Sequence, residues 1–300
     1  MSKKSKTNKR NKTVKLWIEG ARLRTLPLAI APVALGAGIA KADGAFNLGL
    51  TLLALVVALF LQIGVNFAND YSDGIRGTDT KRVGPLRLTG SGSAKPQLVK
   101  NAAFGFFGLA ALAGLAIVLI TGFWWLVAVG IACIVAAWFY TGGKKPYGYS
   151  GFGEIAVFVF FGLVATVGTT FIQSRSLDQT SLILGSALGL FASAVLMVNN
   201  IRDRELDQHV GKRTLAVKIG ARWSKVLFLA MLWLPMVLLS IVTLVYPSLA
   251  LVWFVVLLSG PATLIFVMAK TAKELVLVLK LTSFIALGFG LLALLALSLA

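Results

Sequence analysis

The sequence predicts an all-α integral membrane protein, a bundle of nine transmembrane helices, and three observations carry that prediction. The 300-residue chain is 58% hydrophobic and only 13% charged, where a soluble domain carries about 25% charged residues. Its apolar residues lie in continuous runs rich in Leu, Ala and Gly, without the alternation of a transmembrane strand. The runs recur at the length of about 20 residues with which a helix crosses the hydrocarbon core.

Residues 1–19 are a basic arm headed by MSKKSKTNKRNKTVK, expected to be disordered, cytoplasmic and attracted to anionic lipid. With the following LPLAIAPVALGAGIA the arm imitates a signal peptide. Two prolines interrupt that run and the later segments are hydrophobic too, so no cleavage is expected. The membrane domain then fills 20–300, with spans at about 20–40, 48–69, 101–120, 123–141, 152–173, 181–201, 224–245, 248–268 and 276–298. Trp124 and Trp125 read as an interfacial belt. Cys133 is the one cysteine and sits in an apolar run, so there is no disulfide framework.

Nine crossings place the connections alternately on two sides, and 26 of the 29 lysines and arginines fall on one of them. The other side has Lys41 and Arg175, and Lys280 lies inside the last span. Positive charge marks the cytoplasmic side, so the N-terminus is predicted inside and the C-terminus outside. The net charge of +18 follows from this topology and does not call for a nucleic-acid partner.

The acidic residues are the informative minority. Six of the eleven lie in NFANDYSDGIRGTD (66–79) and NNIRDRELD (199–207), each closing a long apolar run. Asn66, Asp70 and Asp73 are spaced i, i+4, i+7; Asn199, Asp203 and Asp207 are spaced i, i+4, i+8. Each set should share a helix face, with Asn69 beside the first and Asp79 just beyond it. Like charges this close need a cationic partner. Oxygen-rich sites suit hard cations, and Mg²⁺ is commonly held by one or two carboxylates plus substrate phosphates. Two such helix ends facing one another would hold Mg²⁺ ions that bridge to a diphosphate. Lys81, Arg82 and Arg87 after the first cluster, Lys144 and Lys145 after the fourth span, and Lys212 and Arg213 after the second cluster supply further phosphate-binding charge, although sidedness alone would place many of them there. His209, without a cysteine partner, makes a poor transition-metal site. The repeated spacing, four spans apart, hints at an internal duplication.

These stretches, together with YTGGKKPYGYSGFGE after the fourth span and NNIRDRELDQHVGKRTLAVKIG after the sixth, resemble the UbiA-type intramembrane prenyltransferases from Arg22 to the last helix. The form NDYSDGIRGTD followed by RVGPLRLTGSG is similar to the branch that prenylates 1,4-dihydroxy-2-naphthoate in menaquinone synthesis. The resemblance implies nine helices around a central cavity with lateral access for a lipid substrate, in a plasma membrane, with the site opening toward the cytoplasm. It implies that Asn66, Asp70, Asp73, Asn199, Asp203 and Asp207 gather Mg²⁺ and diphosphate, and that Tyr140 and Lys144 form a Tyr-x₃-Lys element.

On this reading an all-trans polyprenyl diphosphate ionises beside two Mg²⁺ ions and Lys144, Lys145 and Arg82, and Tyr140 and Tyr71 face the allylic cation. The ring of 1,4-dihydroxy-2-naphthoate attacks at the carboxylate-bearing carbon, CO₂ leaves, and demethylmenaquinone results. Arg87 and Arg24 are the candidates for the acceptor's carboxylate. Alternative acceptors are 4-hydroxybenzoate, homogentisate or haem. A cation-coupled transporter would place its acids near the bilayer midplane, whereas these stand at helix ends.

Overall fold

The computed structural model describes residues 14–78 and 87–299. The basic arm up to residue 13, and Asp79, Lys81 and Arg82, lie outside the described residues. Ten longer helical segments follow in order, with a short 3₁₀ helix at Tyr147–Ser150 between the fifth and sixth: α1 Val14–Thr25, α2 Pro27–Ala42, α3 Leu48–Ile75, α4 Pro96–Thr121, α5 Leu126–Phe139, α6 Gly153–Ser174, α7 Gln179–His209, α8 Leu215–Thr243, α9 Pro247–Met268 and α10 Ala272–Leu297. Among the described residues there is no strand.

Seven segments, α3, α4 and α6 to α10, are each long and apolar enough to cross a membrane, and α1 with α2 makes an eighth if the bent pair is one span. The pair bends by 48°. Pro27, at the first turn of α2, has no N–H with which to continue the ladder of α1. The fourth expected span is shorter than its apolar run. Gly122 ends α4 at a left-handed φ of 76°, the aromatic turn 123–125 follows, and α5 has 14 residues. Side chains cap three of the starts: Asn47 accepts from the N–H of Leu50, Asp178 from Ser181, and Thr271 and Glu274 form a reciprocal capping box. Gly220 breaks α8 at φ 77°, so its long apolar part begins beside the expected 224.

Between helices in lipid, close approach of small residues replaces the hydrophobic effect as the packing force. α7 is the central helix, with 72% of its apolar window buried. Leu184, Leu188 and Phe191 on it meet Ile285 and Phe289 of α10, and Phe228 of α8 stacks on Phe266 of α9. α6 lies tightly on α7 because a Cβ on Gly162 would stand 2.5 Å from the Cα of Gly189. The stretch Phe158–Val164 of α6 is π-helical, a distortion that collects at functional sites. Large apolar side chains such as Leu112, Leu119 and Leu257 remain exposed, as lipid-facing residues do.

Contacts sort the connections into two ends. At one, the N–H of Asn47 donates to Oε1 of Gln173 (2.7 Å), and Phe123 and Trp125 pack on Phe171 with centroids 5.2 and 5.5 Å apart. At the other, Arg76 donates to the carbonyls of Thr141 and Gly143, and Lys218 donates to the carbonyl of Ser150 (2.7 Å). α3, α4, α5, α6 and α7 run alternately between these ends. Lys41 and Arg175 stand at the first, and both aspartate clusters at the second.

Candidate active site

A cavity of about 700 Å³ opens between α1–α7. Its polar mouth lies at the aspartate-bearing end, where Asn66, Asn69 and Asp73 of α3 face Asn199, Asn200, Arg202 and Asp207 of α7. Arg22, Arg24, Arg87 and Lys212 also stand in this wall. From the mouth an apolar interior runs down α3 to Ala54, between α4, α5 and α6.

Asp73 gathers several partners at the mouth. It is buried, accepts a hydrogen bond from the Tyr149 hydroxyl, and pairs with Lys212 Nζ at 3.3 Å. That ammonium also lies 4.4 Å from the centroid of the Tyr149 ring. Burial first, then the charge of Asp73 and its hydrogen bond, pushes the Tyr149 hydroxyl well above its ordinary pKa. Tyr149 is therefore a neutral donor throughout the neutral range. Burial likewise pushes Tyr147, another wall residue, up to about 12. Beside Asp73, the Asn69 amide oxygen accepts from the Thr141 hydroxyl (2.7 Å). Across the mouth, Arg202 holds Asp203 through two hydrogen bonds of 2.7 Å and reaches the amide oxygen of Asn199 at 2.8 Å.

The expected residues therefore divide. Asn66, Asn69, Asp73, Asn199, Asp207, Lys212, Arg87, Arg24 and Tyr140 stand in the cavity wall. Asp70 does not: its two oxygens accept the backbone N–H groups of Leu88 and Thr89, each at 2.8 Å. At about 100° per residue Asp70 lies some 60° round the helix from Asp73, at the edge of the face and toward the loop. Asp203 is turned to Arg202 with only 4% of either side chain exposed. Tyr71 points away from the cavity and stacks on Trp138 at 6.1 Å, because position 71 lies on the opposite side of α3 from Asn69 and Asp73. Lys144, Lys145 and Arg213 are exposed and outside the wall, the two lysines at the crest of a turn between Gly143 and Pro146.

Sequence reasoning passed over Tyr149, Arg202, Asn200 and Arg22. Tyr149 and Arg202 lie inside the motifs already singled out, and their chemical types would have flagged them. Arg22 has a subtler sign, a left-handed φ of 53° in a non-glycine residue, and such backbone strain clusters at functional sites.

Whether this wall suits Mg²⁺ follows from its donors. Among the described residues no three carboxylate, histidine or cysteine side chains converge on one point. Asp73 and Asp207, with the amide oxygens of Asn69 and Asn199, nevertheless give an all-oxygen set around one mouth. That matches an ion held by one or two carboxylates and completed by phosphate oxygens and water, so the residues fit the group.

A helical membrane protein whose cavity joins a carboxylate- and cation-lined mouth to a long apolar interior is built to receive a lipid with an anionic head. The chain belongs to the UbiA prenyltransferase family, whose model matches residues 29–277. It is 52% identical over 216 residues to the 1,4-dihydroxy-2-naphthoate octaprenyltransferase of Mycobacterium tuberculosis (strain ATCC 25618 / H37Rv), covering 72% of this chain and 74% of that one. A protein of the same name from Escherichia coli (strain K12) is 40% identical over 210 residues, 68% of each chain. Among solved structures, a UbiA homolog from Archaeoglobus fulgidus bound to GPP and Mg²⁺ superposes with a TM-score of 0.64 at 13% identity, covering 95% of this chain and 100% of that one. That likeness establishes a shared fold.

Proposed function

We propose that this enzyme transfers a polyprenyl chain from an all-trans polyprenyl diphosphate to 1,4-dihydroxy-2-naphthoate, releasing diphosphate and CO₂, in menaquinone biosynthesis. The relatives named above at 52% and 40% identity carry this name. The observation that supports it in the chain itself is the union of a cationic, oxygen-lined mouth with an apolar interior in one cavity.

Asp73, Asp207, Asn69 and Asn199 would hold Mg²⁺ at the mouth. Bound there, the metal supplies Lewis-acid neutralisation of the diphosphate. Lys212 and the wall arginines Arg22, Arg24 and Arg87 bind the phosphate oxygens and the acceptor's carboxylate. The allylic C–O bond breaks with its electron pair leaving on the diphosphate, and a developing oxyanion is where preorganised cations contribute most. The Tyr140 ring, in the wall below the mouth, faces the cation. The carboxylate-bearing ring carbon forms the new C–C bond. Loss of CO₂ then returns the pair of the C–CO₂ bond to the ring and leaves the reduced form of demethylmenaquinone. Tyr149 keeps Asp73 fixed, and the apolar interior excludes water that would otherwise trap the cation.

The same reading includes nine crossings, with α5 and its flanks as the ninth, residues 20–300 as one membrane domain, the N-terminus and cavity mouth at the cytoplasmic face of a plasma membrane, and the C-terminus outside. Two features support it. α5 connects the two ends of the bundle, and among the described residues most lysines and arginines lie at the end that carries the mouth.

Purified protein in detergent, given Mg²⁺, a polyprenyl diphosphate and a panel of aromatic acids, tests the reaction by mass spectrometry of the lipid product. A decarboxylated prenyl naphthalenediol is expected. A product from 4-hydroxybenzoate or homogentisate alone would transfer the reading to that acceptor. A reporter fused after residue 300 should read extracytoplasmic and one at Ser91 cytoplasmic; the same side for both would overturn the crossing count.

A further inference from the structure

The start of α6 carries an acid that neither the metal-binding oxygens nor the phosphate-binding cations use. Glu154 is 2% exposed. Its Oε1 accepts a hydrogen bond from Nδ2 of Asn200 on α7 (2.9 Å), and its Oε2 is buried without a partner among the described residues. Among the same residues no lysine or arginine pairs with it. An acid so placed in a membrane bundle is costly and marks function more often than packing. A glutamine would fill the same space and accept the same hydrogen bond without a charge.

Two contacts fix where this pair stands. The Ser193 hydroxyl of α7 donates to the Glu154 carbonyl (2.9 Å). A Cβ on Gly153 would stand 3.1 Å from both the Tyr140 hydroxyl and the Leu196 side chain, so α6 begins wedged between α7 and Tyr140. Asn200, Leu196 and Tyr140 line the cavity, whereas Glu154 stands behind the wall. Asn200 marks the level at which the wall changes character, for the next lining residues of α7 toward the interior are Leu196, Val195 and Ala192. An aromatic ring that meets the allylic carbon beside Tyr140 lies at this level.

The pairing decides which atom Asn200 shows to the cavity. An ionised carboxylate only accepts hydrogen bonds, so Glu154 holds the amide nitrogen and turns the amide oxygen the other way. That oxygen accepts no hydrogen bond among the described residues. A fixed acceptor atom in a cavity wall selects a ligand group that donates, and a phenolic hydroxyl is such a group. It offers nothing to a carboxylate, which remains with the wall arginines.

We propose that Asn200 binds a ring hydroxyl of the aromatic acceptor through its amide oxygen, and that Glu154 is the positioning residue that keeps this oxygen facing the cavity. The inference rests on the prenyl-transfer reading above and extends it to the acceptor's side of the site. The pair then helps to determine which aromatic acids are accepted, because a ring without that hydroxyl leaves the amide oxygen unpaired.

The test measures dissociation constants by equilibrium dialysis of the purified protein, with Mg²⁺ and inorganic diphosphate present. The ligands are 1,4-dihydroxy-2-naphthoate and its two analogues lacking one hydroxyl, 1-hydroxy-2-naphthoate and 4-hydroxy-2-naphthoate. The parent should bind one analogue at least about tenfold more weakly than the dihydroxy acid, as loss of a buried hydrogen bond requires, and this identifies the hydroxyl concerned. Asn200→Leu should lose that preference. Glu154→Gln, in which the Asn200 amide can turn over, should keep only part of it. The KM for the prenyl donor should stay at the parent value in both variants. If Asn200→Leu does not fold, by its elution profile in detergent, the double variant Asn200→Leu/Glu154→Leu decides, since it also removes the carboxylate left alone. A parent that binds all three acids equally, or a variant that keeps the full preference, overturns the proposal. So does a rise in donor KM as large as the loss of acceptor binding, which would place Asn200 on the diphosphate or its metal. A parent that transfers no prenyl group to any aromatic acid fails the prenyl-transfer reading itself, and the role of the pair with it.

Discussion

The two aspartate clusters have nearly the same spacing and end in different arrangements of the same kind. In each, one carboxylate faces the cavity, Asp73 on α3 and Asp207 on α7, while its neighbour one turn earlier is turned aside. The partners of the turned residues differ. Asp70 accepts two backbone N–H groups of the loop that presents Arg87 to the mouth. Asp203 is held by Arg202, a side chain of the same helix that itself reaches Asn199. The first cluster thus engages a loop 18 residues further along the chain, and in the second Asp203 engages a side chain of its own helix. Their partners, more than their spacing, distinguish the carboxylates that line the cavity from those that do not.

The sharpest way to break this comparison is to remove the two inward carboxylates. Asp73→Ala and Asp207→Ala should each lower kcat/KM for the prenyl donor by about a thousandfold, the upper range for loss of one strong electrostatic group. Asp→Asn should be nearly as harmful, because the charge is what neutralises the site. Chelation of divalent cations should abolish turnover in the parent. Near-parent rates for either variant would place the functional face of its cluster elsewhere.

The outward residue of the first cluster should fail differently. Asp70→Ala removes the acceptor of the buried Leu88 N–H and the part-buried Thr89 N–H, and a lost partner for a buried donor costs about 1–3 kcal/mol. The variant should unfold at a lower temperature in detergent, and Asp70→Asn, which keeps one acceptor oxygen, should recover part of the loss. Activity should fall through the placement of Arg87, with KM raised more than kcat is lowered. If Asp70→Ala instead matched Asp73→Ala, with intact stability and a collapsed kcat, the division of the cluster would be wrong.

Why the sequence foretold some of this and not the rest is a matter of range. Helix existence depends on the continuous apolar runs, and the caps at Asn47, Asp178 and Thr271 are local, so nearly every segment stands where expected. α5 came out short because Gly122 and the aromatic turn end the run from outside the helix. The mouth residues were legible as types, because acids are scarce in so apolar a chain. Which of two acids one turn apart lines the cavity depends on the loop at 88–89, whose position is a tertiary fact. Tyr71 shows the same limit: its neighbours in NDYSD are functional types, but Trp138, far along the chain, supplies the surface it covers.

The smallest expected effect concerns the cations, and it compares the two ends of the basic sequence around the mouth. Lys212 is buried against Asp73 and Tyr149, whereas Lys144 is exposed on its turn. A buried charge acts through a low effective dielectric and is screened little; an exposed one is screened within a Debye length of about 8–10 Å. Lys212→Gln should therefore reduce kcat/KM for the donor by about thirtyfold, with little dependence on added salt. Lys144 is the last residue of the Tyr140-x₃-Lys element, and Tyr140 is in the wall, so on the proposed reading its charge would act on a diphosphate at the mouth from outside. Lys144→Gln should reduce kcat/KM by about threefold at low salt, and the difference from the parent should fade as ionic strength rises. A large, salt-insensitive fall confined to kcat would mean that the turn closes over the bound donor and brings Lys144 against the leaving group, making the two lysines equal partners.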